Sequence, residues 1–225
     1  MPDLPFRFDG GRCTSFNFHT LGMMCAGIQN PQTCHVFGGN NDFHLTSNSH
    51  WPHTTGGIVN ANDKLFLLAG GNLEVEKYNH HDRNWLHLTP RTSLKDVVHR
   101  TAPDATAYLE FSTVGMNNTV FAIGGLYAYG NDGPDKHFTN GLLYAMDIAT
   151  YEWRIFEQAL LRARAWNRVV LFGASFALIG GENEHTDVER WTFNGRGYVT
   201  RVKVNFLGSR TLKLTFFFNQ ILINF

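Results

Sequence analysis

Cysteine is scarce: Cys13, Cys25 and Cys34 are the only three, all in the first sixth of the chain. An odd number crowded at one end is not a disulfide framework, so the sequence predicts free thiols. Cys25 and Cys34 flank one hairpin and face each other on adjacent strands. A redox switch there is weighed against two buried thiols acting as small apolar residues, and the second reading is preferred. Net charge is absent as well, with 19 basic and 19 acidic side chains. Without a net field there is little to draw a polyanion or an anionic membrane, so neither nucleic acid nor membrane is expected as a partner. No apolar run is long enough to span a bilayer. The longest, 211–225, is broken by Lys213, Asn219, Gln220 and Asn224. Met1 to Arg12 carries Pro2, Asp3 and Pro5 where a secretory signal would have a basic patch and an apolar core, which predicts a soluble, cytoplasmic protein.

Catalytic motifs are also missing. There is no serine nucleophile elbow, no phosphate-cradling glycine loop and no paired-cysteine zinc signature. Among the 11 histidines, His44, His50 and His53 lie close together. The repeat described next assigns His44 and the neighbour of His50 to core positions on different faces, so no metal is expected. His80 and His81 read as a solvated turn. No cofactor is expected.

What is present is a large apolar complement, 43% of residues with 14% aromatic, and a repeat. Four times a short apolar run ends in two glycines: Gly38-Gly39, Gly70-Gly71, Gly124-Gly125 and Gly180-Gly181. Before each lies a second run, Met23–Ile28, Gly57–Asn60, Phe111–Met116 and Arg168–Gly173, joined by a polar turn, so each unit opens with a hairpin. After the glycines an interval of seven recurs: Tyr78 to Trp85, His44 to Trp51, Met146 to Trp153 and Trp191 to Tyr198. Packed, radially arranged sheets need large side chains where they diverge, and glycine where the chain turns sharply between them.

A strand ending in Gly-Gly, followed by a tyrosine and a tryptophan seven further on, resembles the kelch repeat. The resemblance implies an all-β, kelch-type β-propeller with blades at about 20–54, 55–90, 108–158 and 166–204. Segments 5–18 and 211–225 read as the outer and inner halves of a fifth, shared blade closing the ring. The alternative is a truncated piece of a larger kelch protein.

In kelch substrate adaptors the rim formed by the loops after strands two and four binds peptides. The resemblance therefore implies a non-enzymatic module for a protein or peptide partner, in the manner of kelch adaptor or cytoskeletal proteins. Two long loops are its candidates. Gly125–Thr139 offers Tyr127, Tyr129, Asp132, Lys136 and His137, rigid aromatics mixed with polar groups, and Thr89–Ala107 offers Arg91 and Arg100. Arg162 and Arg164, just before the fourth unit, are candidate carboxylate binders at the channel mouth, weighed against a solvated connection or an ion pair to a neighbouring blade. The rival class is a kelch-fold enzyme or small-ligand protein with its site at that mouth.

Overall fold

The computed structural model describes residues 12–16, 21–25, 27–38, 43–130, 137–156, 159–181, 188–193, 199–204, 213–215 and 222–224. These form antiparallel sheets and a single short helix. The first sheet runs β1 (Arg12–Phe16), β2 (Leu21–Cys25), β3 (Cys34–Gly38), β4 (Phe43–Leu45), and the second β5 (Gly57–Ala61), β6 (Lys64–Leu68), β7 (Val75–Asn79), β8 (Asn84–His87). Helix α1 (Leu94–Thr101) and β9 (Ala105–Leu109) follow. The third blade combines β10 (Ser112–Met116) and β11 (Thr119–Ile123) with β14 (Leu143–Asp147) and β15 (Trp153–Ile155). Its middle connection carries β12 (Leu126–Tyr129) and β13 (His137–Thr139). The fourth blade is β16 (Arg168–Phe172), β17 (Ser175–Ile179), β18 (Val188–Phe193), β19 (Val199–Val204), and β20 (Lys213–Thr215) pairs with β21 (Leu222–Asn224).

The first strands of the four blades stand side by side, β1 against β5, β5 against β10 and β10 against β16, which makes the architecture propeller-like. Continuous apolar runs form the second strands of the second and third blades because both faces of those sheets are covered. In β6, Leu65 and Leu67 belong to the core facing the first blade, whereas Phe66 and Leu68 belong to the core facing the third. In β11 the same alternation divides Val120 and Ala122 from Phe121 and Ile123. Each of the three buried clusters is thus one interface between neighbouring blades. Where the inner strands meet, the space is tight: a Cβ on Gly115 would lie 2.1 Å from the Asn60 carbonyl oxygen.

The glycine pairs follow the second strand in the last three blades, the aromatic interval holds in the second and third, and both fail in the first. Gly124 and Gly125 have φ of 67° and 91°, and Gly180 and Gly181 have 69° and 128°, left-handed values that favour glycine. Tyr78 pairs with Trp85 and Met146 with Trp153 directly across their strands, all four side chains buried. Tyr198 lies outside the described residues, and Trp191 is opposite Arg201.

In the first blade the expected strands are displaced by one. Arg12–Phe16 pairs with Leu21–Cys25, so it is this blade's inner strand, and the blade begins at Arg12 instead of near residue 20. Within the segment 5–18 expected as the outer half of a shared blade, 12–16 is thus an inner strand of the first blade, and the rest of that segment lies outside the described residues. Gly38 ends the third strand, not the second, and the positions after β2 that match Ala69-Gly70 are Ala26-Gly27. His44 and Trp51 consequently are not a core pair: His44 is exposed, and Trp51 lies on the connection to the next blade, 42% exposed. The cross-strand place of Tyr78 and Trp85 is taken by Phe37 and Phe43. The misreading has a physical cause, since a glycine pair suits the tight reversal between strands three and four as well as the turn after strand two.

Two further expectations change. Cys25 and Cys34 are directly opposed on β2 and β3 and form a disulfide, leaving Cys13 as the free thiol. The two long loops are folded rather than open. β9 from one and β12 and β13 from the other form a three-stranded sheet, and α1 packs Leu94, Val97 and Val98 into the core beneath it. Ser93 caps α1 through a capping box with Asp96.

Candidate functional site

Each of the last three blades is approached by a segment that the blade's own third strand holds in place. Four residues before the inner strand stand His53, Tyr108 and Arg164, all fully buried. Each donates to the carbonyl of the turn residue directly after strand two: His53 Nδ1 to Ala69 at 2.6 Å, the Tyr108 hydroxyl to Gly124 at 2.5 Å, and Arg164 to Gly180 at 3.0 Å. Each also meets the second residue of strand three. His53 Nε2 lies 2.9 Å from Glu76, the Tyr108 ring packs edge-on against Tyr144, and Arg164 lies 3.6 Å from Glu189. Glu76 further accepts from the backbone of His50 at 2.9 Å and Trp51 at 3.2 Å, as Glu189 accepts from the Leu161 backbone at 3.1 Å. Burial alone would raise the Glu76 carboxyl, but hydrogen bonds from the His53 ring and from the backbone and ring of His50 hold it down at about 2.

This framework sets the geometry of the channel mouth. Two residues before the inner strands, Thr55, Glu110 and Trp166 occupy equivalent places with φ of 53°, 52° and 53°. Their backbones are linked blade to blade, Glu110 N donating to Thr55 O at 3.2 Å and Trp166 N to Glu110 O at 3.0 Å. Three non-glycine residues in the left-handed region cost free energy and persist because the hydrogen bonds between them hold their backbones. Just inside lie the first residues of the inner strands, including Arg12, Ser112 and Arg168. They line a cavity of about 320 Å³ with Phe111 and Thr113. It shares Cys13, Ile58, Thr113 and Val169 with a second cavity of about 750 Å³ toward the opposite end, so the two adjoin along the inner strands.

The charges at the mouth are unevenly balanced. Arg12 is neutralised by Glu110 at 2.5 Å, an ion pair reaching from the first blade to the third. Arg168 makes one hydrogen bond, to the Asn167 carbonyl at 3.2 Å, and meets no carboxylate among the described residues. Two residues before it, Trp166 is 46% exposed. This stretch therefore carries an exposed indole and a guanidinium that meets no carboxylate among the described residues, groups suited to an acidic ligand carried on an apolar or planar one.

No family model matches the chain, and no curated protein does. Among solved structures it is similar to that of YjhT. The likeness has a TM-score of 0.74 over 93% of this chain and 68% of YjhT, at 18% identity. At that identity YjhT attests the propeller-like fold alone.

The residues singled out from sequence are scattered over this YjhT-like scaffold. Tyr127 is buried, its hydroxyl bonded to that of Tyr144, and burial raises its phenol well above the usual range. It is a core residue, because the loop expected to display it is strand β12. Tyr129 is half-buried, edge-on to the exposed Phe138 at 5.5 Å. His137, Arg91, Arg100 and Arg162 are exposed. Arg164 is buried against Glu189, the ion-pair alternative to a binding role, although both partners belong to the same blade. Asp132 and Lys136 lie outside the described residues. His50 and His53 share Glu76 through hydrogen bonds, and among the described residues no group of three histidine, cysteine or acidic side chains is placed so that it could hold a metal ion. Sequence reasoning missed Trp166, Arg168, Arg12 and Glu110, whose signal is position: Trp166 and Glu110 stand two residues before an inner strand, and Arg12 and Arg168 at the start of one.

Proposed function

We propose that this chain is a kelch-type propeller that binds an acidic segment of a protein or peptide partner at the channel mouth. The recurring glycine pairs and the buried Tyr78–Trp85 and Met146–Trp153 pairs support the kelch assignment. The observation that carries the binding reading is Arg168 with no carboxylate partner among the described residues, two positions after the exposed Trp166 on a backbone held left-handed. A carboxylate of the partner pairs with Arg168 while an adjoining apolar side chain packs on the indole. Glu110 keeps Arg12 engaged and repels misplaced acidic groups, which fixes the register of the bound segment.

Selection of a displayed random-peptide library on the intact chain tests this reading. Enriched peptides are expected to carry Asp or Glu next to an apolar residue. Arg168→Glu and Trp166→Ala should each weaken their binding at least about tenfold, close to the 1.4 kcal/mol of one lost contact of this kind. Peptides without acidic residues, or peptides that bind both variants as well as the parent, would sink it.

A further inference from the structure

We propose that the Cys25–Cys34 disulfide is a redox-responsive clasp governing the mobility of the first blade's mouth-side loop and of the segment that approaches the second blade. The register of the four blades supplies the first argument. Cys25 and Cys34 occupy the last pair of strands two and three at the mouth end, the place held by Leu68 and Val75, Ile123 and Leu143, and Ile179 and Val188 in the other blades. Every other blade closes this loop with an apolar contact, and the first closes it covalently. Two reduced thiols are small apolar groups and still fill the position, so reduction releases the loop without emptying the core.

The second argument is what the loop holds. The Pro31 carbonyl accepts from His53 N at 3.0 Å and the Gln32 carbonyl from Ser49 N at 2.9 Å. The Gln32 side chain donates to the carbonyls of Ser49 and His50, both at 3.0 Å, and the Cys34 carbonyl accepts from Thr46 N at 3.0 Å. The loop is therefore one side of a seam whose other side, 46–53, delivers His50 and His53 to Glu76 and leads directly to Thr55 at the mouth. Freeing the loop loosens that seam.

The chemistry needs a dithiol reductant. Its thiolate attacks one sulfur, the S–S bond breaks, and a mixed disulfide forms with one cysteine while the other leaves as thiolate and takes up a proton. The second thiol of the reductant then displaces the remaining cysteine. The dithiol ends as a disulfide, and Cys25 and Cys34 end as two thiols. Both cysteines are fully buried, so attack proceeds through opening of the loop, whose tip at Ile28, Gln29 and Asn30 is exposed.

The test is hydrogen exchange on the full chain, oxidised with diamide and then reduced with dithiothreitol, beside alkylation of cysteines under denaturing conditions. The oxidised protein should alkylate at Cys13 alone. On reduction the amides of Thr46, Ser49 and His53 should exchange at least tenfold faster while those of Leu67 and Ala122 keep their protection. The double variant Cys25→Leu with Cys34→Val, which copies the Leu68–Val75 pair of the second blade, should behave as the reduced form in either condition, and Cys13→Ser as the parent. Alkylation of all three cysteines after oxidation overturns the proposal. So does equal exchange in both redox states, and so does a general loss of protection on reduction, which would make the bridge a support of the whole fold.

Discussion

At the scale of single residues, Glu76 concentrates the largest consequences. It is fully buried, and its carboxylate accepts from two backbone amides and from the rings of His50 and His53. Glu76→Gln keeps the shape but removes the charge that His53 faces and replaces one acceptor with a donor. We expect a loss of about 3 kcal/mol in urea unfolding, the range for breaking a buried charged pair. The carboxyl sits at about 2 against an ordinary 4.5, so its contribution is fully present above pH 4.5 and is lost as pH falls toward 2. The shift corresponds to about 3 kcal/mol. Stability of the parent should therefore fall through that window, and the difference between parent and Glu76→Gln should shrink with it; a constant difference from pH 6 to pH 2.5 would contradict this role. The position was legible in part. Glu76 and Glu189 each stand two residues before a third-strand aromatic, Tyr78 and Trp191, but a sequence does not say that a carboxylate there points inward to a segment more than 20 residues away.

At the scale of elements, the repeat was legible where apolar pattern and turn chemistry agree and misleading where two turns have the same chemistry. A glycine pair suits a reversal between strands three and four as well as the turn after strand two, and only strand pairing shows which one follows the second strand. The long connections were read as open loops because glycines and charges dominate them. Their apolar residues, Leu94, Val97, Val98, Tyr108 and Tyr127, find their partners only when the two connections meet. The contact between inner strands yields a prediction. Gly115→Ala would place a methyl group 2.1 Å from the Asn60 carbonyl oxygen and 2.8 Å from the Ala61 Cβ. The backbones must separate, and we expect destabilisation of about 2 kcal/mol or more, seen as a lowered melting temperature. An unchanged melt would mean that β5 and β10 are not in backbone contact.

At the scale of the whole molecule, the mouth is assembled from blades far apart in sequence. Arg12 and Glu110 are 98 residues apart and join the first blade to the third across the second. A double-mutant cycle with Arg12→Ala and Glu110→Ala should give a coupling of about 1 kcal/mol in denaturant unfolding, because both side chains are largely withdrawn from solvent. Additive losses would show that the pair does not brace the first blade against the third. By itself the sequence determined the all-β class and the hairpin units, because alternation, glycine pairs and turn residues act over a few neighbours. It also located the buried pairs Tyr78–Trp85 and Met146–Trp153. Tertiary structure decided which glycine pair belongs to which turn, that Cys25 and Cys34 are bonded, that Tyr127 and Arg164 are interior, and that Trp166 and Arg168 stand open at the mouth. Those outcomes depend on which strands pair and which blades adjoin, and such contacts are made between residues tens of positions apart, where local pattern carries no information.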